Sequence, residues 1–313
     1  MNWLRSILLP VQGTDYAARM DNLFLFILLV TTFFFLLVLG LVFYFILRYR
    51  RRGPGEVTPH ITHNLKLEVI WTVVPLVIVM VIFVWGFSGY MDVNVAPAGA
   101  LEIQVTAKQW VWQFEYPNGT RTINEIHVPV GKPVKLVMSS EDVIHGFYVP
   151  SFRIKADVLP NRYTALWFTP TRGGVHLLMC TQYCGKGHSQ MEGKIYVDTD
   201  AKYQDWIENG DQSTRSMPLK DLGAQLYATR GCVACHSLDG TRGQGPSFKG
   251  IWGETHDMTG GKSVLVDENY VRESILQPGA KVRLGFKNIM PTFQGVLRDR
   301  EIQALIEFIK SQK

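Results

Sequence analysis

Two clusters contain all four cysteines of the 313-residue chain, and each cluster also carries a histidine. The first reads Cys180-Thr-Gln-Tyr-Cys184-Gly-Lys-Gly-His188-Ser-Gln-Met191. It brings two thiols, an imidazole and a thioether into one short loop, and copper prefers this set of soft ligands. The sequence therefore predicts a copper site in the loop. The alternatives are a disulfide between Cys180 and Cys184 and a zinc site that includes His188.

A pair of copper ions needs more ligands than this loop provides. Cys180 and Cys184 can bridge two ions if the loop doubles back, and His188 and Met191 can then each bind one of them. His145, which lies between two strand-like segments, is the candidate for the missing imidazole. The alternative for Met191 is a simple core residue. We expect His127 and His176, which are on strand-like segments, to be structural residues. We expect the other histidines outside the clusters to lie in loops; these are His60, His63 and His256.

The second cluster reads Cys232-Val-Ala-Cys235-His236. This spacing is the signature of covalent haem attachment, in which two thiols join the vinyl groups and the adjacent imidazole binds the iron. A chain that carries both a copper loop and a haem attachment motif is expected to transfer electrons.

Two long uncharged segments precede both clusters, Leu23 to Leu47 and Val69 to Tyr90. Each exceeds the roughly 20 residues that a helix needs to cross a bilayer, and a signal peptide fits the first poorly. We predict a transmembrane hairpin with helices over about 22–47 and 67–90. The connection carries four arginines and Lys66 against one acid, Glu56, so the positive-inside rule places it in the cytoplasm and both termini outside. The net charge of +5 therefore indicates topology and not nucleic-acid binding.

The composition changes beyond the hairpin. Short segments of alternating apolar residues from about 98 to 201 predict a β-sandwich or barrel. Residues 202–218 are polar and predict a linker. Helical patterns follow in residues 219–313, with candidate helices from Leu219 towards Cys232, over Asn269 to Leu276 and from Asp299 to about Lys310. The predicted organisation is thus a tail and hairpin (1–97), a β domain (98–201), a linker (202–218) and an α-helical domain (219–313).

Residues 22 to 200 resemble subunit II of cytochrome c oxidase. The matching segments are Leu67-Glu-Val-Ile-Trp-Thr-Val-Val-Pro75, Gln109-Trp-Val-Trp-Gln-Phe-Glu-Tyr116, Val143-Ile-His145, Val149-Pro-Ser-Phe-Arg-Ile-Lys-Ala-Asp157 and the loop from Cys180 to Met191. The resemblance implies a cupredoxin-like fold and a dinuclear copper A centre with two copper ions. Its implied ligands are His145, Cys180, the backbone carbonyl of Gln182, Cys184, His188 and Met191.

Gln182 departs from this family, whose members usually have Glu at that position. Copper binding does not depend on the side chain, because the ligand is the carbonyl. The family's Glu also helps to bind magnesium at the boundary with subunit I, and a neutral amide leaves that site in question. The resemblance further makes Trp110 the exposed residue that receives electrons and Glu68 the start of a proton pathway into subunit I. The alternative for Trp110 is a residue that only packs on its strand, and the alternative for Glu68 is an anchor at the membrane interface. We expect Trp112 to lie in the core.

Residues 219–313 resemble a small class I cytochrome c. Gly245-Pro246 is similar to the segment that supports the axial histidine, and Ile289-Met290-Pro291-Thr-Phe293 is similar to the methionine loop. Met258 is the rival iron ligand, but it lacks a following proline. The resemblance implies one haem c attached to Cys232 and Cys235, with the axial ligands His236 and Met290.

The whole chain resembles the fused form of subunit II, in which the oxidase subunit and its electron donor share one polypeptide. The predicted protein lies in a prokaryotic inner (plasma) membrane. It passes electrons from haem c to copper A and on to subunit I, where oxygen is reduced to water with proton translocation. The implied partners are subunits I and III, membrane lipid and an upstream quinol-oxidising complex or carrier, and no catalytic residue is expected in this chain. The alternatives are a copper-A nitric oxide reductase subunit and a stand-alone membrane-tethered redox carrier.

Overall fold

The computed structural model describes residues 2–56, 60–210 and 216–312. The chain divides into two compact units. The first contains the N-terminal helices and ends at Val95, and the second begins at Ala96 and also includes Val11–Asp15.

The first unit contains α1 (Asn2–Leu8), α2 (Asp15–Arg48) and α3 (Leu65–Asn94). Among the described residues, α2 and α3 are the helices long and apolar enough to cross a membrane. They pack against each other, with the rings of Phe26 and Trp85 5.7 Å apart and an ion pair of 2.6 Å between Arg19 and Asp92. The predicted hairpin is confirmed, and both helices extend beyond their predicted bounds.

The β domain in the second unit is a sandwich of two five-stranded sheets. One has the order β3-β2-β1-β5-β8 and the other β4-β10-β9-β6-β7, with β1–β5 and β4–β10 parallel. Trp112, Phe114 and Phe147 are fully buried between them, which confirms the predicted cupredoxin-like class. The strands are β1 (Leu101–Lys108), β2 (Val111–Glu115), β3 (Arg121–Ile123), β4 (Glu125–Pro129), β5 (Val134–Ser140), β6 (His145–Val149), β7 (Ile154–Val158), β8 (Thr164–Phe168), β9 (Gly174–Cys180) and β10 (Glu192–Asp198).

A helix, α4 (Asp200–Asn209), occupies the first part of the segment predicted as a linker. The Thr199 side chain caps it by accepting a hydrogen bond from the Lys202 N–H, and such a cap favours a helix start. Tyr203 and Trp206 are buried, and the Trp206 ring stacks on His127 with centroids 4.1 Å apart. The linker prediction is therefore wrong for residues 202–209, because two aromatic side chains anchor this polar helix to the sandwich. Residues 211–215 lie outside the described residues.

The α-helical domain contains α5 (Leu219–Thr229), α6 (Glu268–Leu276) and α7 (Asp299–Lys310), which confirms the three predicted helices. It also contains a short hairpin of β11 (Thr255–Asp257) and β12 (Ser263–Leu265). His256 lies on β11, so its placement in a loop was wrong. Helices α5 and α7 pack closely at Gly223, where a Cβ atom would lie 2.1 Å from the Ala304 carbonyl oxygen.

Candidate metal centres

The first cysteine cluster forms the loop between β9 and β10, and this loop doubles back. The backbone N–H of Cys180 donates to the carbonyl of Met191 over 3.2 Å and closes it. His145 is the first residue of β6, which pairs with β9. Ligand atoms of His145, Cys180 and Cys184 consequently lie within 4.8 Å of one another.

All the side chains predicted to bind copper converge on this site. The two sulfur atoms are 3.8 Å apart, and both cysteines are free, so the disulfide alternative, with sulfurs about 2.0 Å apart, is not formed. The remaining distances are 4.0 Å from the Cys180 sulfur to Nδ1 of His145, 3.2 Å from the Cys180 sulfur to the Gln182 carbonyl oxygen, 3.5 Å from the Cys184 sulfur to Nδ1 of His188 and 3.9 Å from the Cys184 sulfur to the Met191 sulfur.

The two thiols of this site titrate together. A hydrogen bond from the Cys184 thiol lowers the pKa of Cys180, and the same contact raises the pKa of Cys184. One thiol of the pair therefore ionises readily, and a metal ion binds the deprotonated form. Two thiols, two imidazoles and a thioether fit copper better than zinc. The residues present therefore fit a copper pair.

Asp142 orients the histidine of this site. Its carboxylate accepts a hydrogen bond of 2.8 Å from Nε2 of His145, which leaves Nδ1 facing Cys180. Burial alone would raise the pKa of Asp142, but hydrogen bonds from His145 and from the backbone N–H groups of Gln109 and Val143 hold it below its usual value. The sequence analysis did not assign Asp142, and its position three residues before His145 is the signal that it did not use.

Trp110 is 4% exposed, so the prediction of an exposed side chain was wrong. Its indole N–H donates to the carbonyl of Cys184 over 3.2 Å, and the Gln109 side-chain amide donates to the same oxygen over 2.7 Å. Its ring lies against Gly187. Trp112 is fully buried, as predicted. The structure thus attaches Trp110 directly to the copper loop.

A largely apolar cavity adjoins the second cysteine cluster. Cys232, Cys235, His236 and Met290 line it, and so does Trp110. Met258 is buried elsewhere, where its sulfur accepts a hydrogen bond of 3.9 Å from the Tyr270 hydroxyl. The cavity therefore brings together the four predicted haem residues and leaves out the rival methionine. Its apolar walls and paired thiols fit a covalently bound haem.

His236 is held in the form that an iron ligand needs. Its Nδ1–H donates to the carbonyl of Pro246 over 2.7 Å, and its ring stacks on Phe248 with centroids 4.5 Å apart. Burial lowers the pKa of His236, so the neutral imidazole is favoured and Nε2 keeps its lone pair. Burial also raises the pKa of Cys232 to about 12 and that of Cys235 to about 11, so both remain neutral thiols.

Glu68 lies in the first turn of α3 and takes part in its N-terminal cap. Its carboxylate accepts from the backbone N–H of Asn64 over 3.1 Å, while the Asn64 side chain accepts from the N–H of Leu67 over 3.2 Å. This reciprocal pair satisfies two free N–H groups of the helix start. The structure therefore gives Glu68 a capping contact, and its role in proton uptake stays a prediction.

The histidines outside the two centres lie in structural positions, in irregular segments or, for His256, on β11. Nδ1 of His127 is 2.8 Å from Asp198, and its ring lies between Tyr196 and Trp206. His176 is buried and hydrogen-bonded to Ser151. Both are structural, as predicted. His60 and His63 lie in irregular segments.

Two apolar helices, a cupredoxin-like domain and a haem-binding α-helical domain define a membrane-anchored redox protein. Family models match three successive parts of the chain: the transmembrane domain of cytochrome c oxidase subunit II over residues 4–88, its periplasmic domain over 120–198, and cytochrome c over 221–313. The chain belongs to the cytochrome c oxidase subunit II family, in a form with a fused C-terminal cytochrome c domain. The family models imply copper A in the β domain and haem c in the C-terminal domain.

Curated relatives cover more than half of the chain, and the three described here are each named cytochrome c oxidase subunit 2. The protein from Synechocystis sp. is 30% identical over 261 residues, which are 68% of this chain and 79% of the relative. The Alkalihalophilus pseudofirmus protein is 28% identical over 304 residues, 94% of this chain and 86% of the relative. The Thermostichus vulcanus protein is 31% identical over 254 residues, 64% of this chain and 77% of the relative.

Proposed function

We propose that this protein is the subunit through which electrons enter a terminal oxidase. Electrons pass from haem c in the C-terminal domain to a dinuclear copper A centre in the β domain and then to subunit I, where oxygen is reduced to water with proton translocation. Both groups, when bound, supply a one-electron redox couple. Each transfer between them oxidises one centre and reduces the other.

The position of Trp110 carries this proposal. Its ring borders the cavity lined by Cys232, Cys235 and His236, and its N–H is bonded to the carbonyl of Cys184. One side chain therefore connects the predicted haem site with a predicted copper ligand. A short path of bonded and packed atoms is what transfer between two buried centres requires.

The surrounding residues keep both sites in a state fit for transfer. Asp142 fixes the orientation of His145, and the carbonyl of Pro246 fixes the protonation of His236. We assign copper A to His145, Cys180, the Gln182 carbonyl, Cys184, His188 and Met191, and haem c to Cys232, Cys235, His236 and Met290. Gln182 leaves the magnesium site of the family in question.

The remaining features of the proposal concern assembly and topology. Relatives named subunit 2 support association with subunit I, and we propose subunit III and an upstream quinol-oxidising complex or carrier as further partners.

The basic connection between α2 and α3 would lie in the cytoplasm, and both termini outside the prokaryotic plasma membrane. Glu68 would collect protons at the inner end of α3. We propose domain boundaries after residues 97, 201 and 218, with α4 as a docked helix in the third segment.

Purification from the native membrane tests the proposed function. We expect two copper ions and one covalent haem c per chain, a haem-rich partner subunit with many helices, and oxygen consumption with an added reductant. Trp110→Phe should slow reduction of copper by haem c, while Trp167→Phe, a change at a half-buried indole on β8, should not. Oxygen uptake that is unaffected by Trp110→Phe would contradict the proposed path, and nitric oxide reduction without oxygen uptake would favour the alternative enzyme.

A further inference from the structure

The cytochrome c domain is packed against the β domain through a shared hydrophobic core. Val111 of β2 and Ile123 of β3 are 3% and 0% exposed, and both belong to the core cluster that includes residues of α5 and α7. Gly231, directly after α5, touches the same surface, where a Cβ atom would lie 2.6 Å from Val111. The two domains are therefore closely packed at Val111 and Ile123.

Arg230 joins the two domains across this interface. Its side chain is 12% exposed and forms ion pairs of 2.6 Å with Glu125 of β4 and 3.8 Å with Glu301 of α7. It also donates to the carbonyl of Ile123 over 3.1 Å. Substitution of one partner in such a buried contact leaves the other charge unpaired, so removal of Arg230 should weaken the docked state.

The α4 helix provides a second connection. Trp206 holds this helix against His127 of the β domain, and the carbonyl of Asn209, its last residue, accepts a hydrogen bond of 3.0 Å from Arg298 just before α7. The segment between the domains is therefore attached to both of them at its helical part. A freely moving tether would show no such contacts.

We propose that Arg230 is a positioning residue that locks the haem domain onto the copper domain and closes Trp110 to external electron donors. The proposal rests on the proposed function, since docking matters for transfer only if Trp110 connects the two centres. While the domain is docked, a separate redox protein cannot touch the indole. External donors therefore have to reduce haem c first.

The first experiment measures the accessibility of Trp110 in the purified complete oxidase by hydroxyl-radical footprinting and mass spectrometry. Arg230→Ala should raise the oxidation of Trp110 about tenfold or more, because the hydrogen bonds of a charged group stabilise the docked state by at least that factor. Arg121→Ala is the matched control: it removes the same charge from an exposed ion pair with Glu115 inside the β domain. Trp110 should stay protected in the control and in the unmodified protein.

The second experiment measures electron transfer from photoreduced haem c to copper in buffers of increasing viscosity. A locked interface predicts a rate that does not depend on viscosity in the unmodified protein and in Arg121→Ala. Arg230→Ala should slow the transfer and make it sensitive to viscosity, because the domain must find its position by diffusion. The haem and copper spectra should stay unchanged, which separates positioning from damage to either centre.

The outcomes separate this proposal from the proposed function. If Trp110 is oxidised rapidly in the unmodified protein, or if the transfer rate in that protein depends on viscosity, the haem domain is not locked onto the copper domain. Either result leaves the proposed electron transfer from haem c to copper unaffected. If Trp110 is protected from oxidation but no electron passes from haem c to copper, the proposed function is wrong instead. If Arg230→Ala does not assemble, Glu125→Gln weakens the same contact from the β domain and should give the same two changes. Their absence in an assembled Glu125→Gln protein would refute the role of this ion pair.

Discussion

Gly187 lies directly against Trp110: a Cβ atom at position 187 would approach the indole ring to 2.5 Å. The glycine is part of the copper loop, and the indole borders the haem cavity. The absence of a side chain at 187 therefore sets how closely the ring can approach the copper ligands.

Gly187→Ala should displace the indole and slow electron transfer from haem c to copper by roughly tenfold or more, because small errors in position are costly for reacting groups. Flash photoreduction of haem c measures the rate. Gly260→Ala, where a Cβ atom would meet nothing within 4 Å, is the control and should transfer at the normal rate. An unchanged rate in Gly187→Ala would show that the position of Trp110 does not limit transfer.

Met290→Ala should abolish the weak far-red charge-transfer band between sulfur and oxidised iron, because Met290 lines the cavity that His236 adjoins. The haem should stay attached, since Cys232 and Cys235 are unchanged. Met258→Ala should keep the band. The opposite pattern in absorption spectra would assign the iron to Met258.

Asp142→Ala should weaken copper binding by about 10- to 100-fold, which is the usual effect of removing the partner that orients a ligating histidine. Titration with copper measures the affinity, and paramagnetic resonance reports the seven-line pattern of two equivalent copper nuclei. Gln182→Ala removes a side chain of the site but keeps its carbonyl, so affinity and pattern should persist. A four-line spectrum in the unmodified protein would show a single copper ion.

Glu68→Gln should slow oxygen reduction while leaving transfer from haem c to copper unchanged. The amide can still accept the hydrogen bond from Asn64, so the cap of α3 is kept, but it cannot hold and release a proton. Oxygen uptake and flash photoreduction measure the two steps in the same preparation. Normal oxygen uptake in the variant would leave Glu68 with its capping contact alone.

The β domain should lose stability as the pH falls below the ordinary pKa of histidine. Burial lowers the pKa of His127, and although Asp198 and Glu125 oppose this shift, the neutral imidazole is favoured in the fold. The contribution of the neutral His127 imidazole to the free energy of unfolding is therefore fully present above pH about 6.5. It is lost as the pH falls through the lowered pKa of His127. Unfolding by denaturant at several pH values measures it. His127→Gln keeps a donor for Asp198, and its stability should depend less on pH in this range.

The sequence predicted best where one local pattern decides the structure. Alternating apolar residues located the β domain over about 98–201, and a helical pattern located α7. It did not locate β3, which has three residues, or β6, which begins with His145 and carries little alternation. Such short strands are held by their neighbours in the sheet, and their own side chains give a weak signal.

The convergence of the side chains at the two candidate centres was also predictable, because candidate metal ligands are recognised by type and spacing. The burial of Trp110 was not, since it depends on packing between segments that are distant in sequence. The helix α4 was missed for a similar reason. Its polar composition resembles a linker, and only Tyr203 and Trp206 pack into the structure.

Under the proposed function, the continuity of the chain through α4 would change the kinetic order of electron delivery to the oxidase. A soluble donor meets its oxidase by collision, so the rate depends on the concentrations of both and saturates. In a fused chain, donor and acceptor domains would be present one to one in every molecule, whatever the expression level, and the transfer between them would be unimolecular. The rate would then depend on concentration and on ionic strength only in the earlier step, in which an external donor reduces the haem domain.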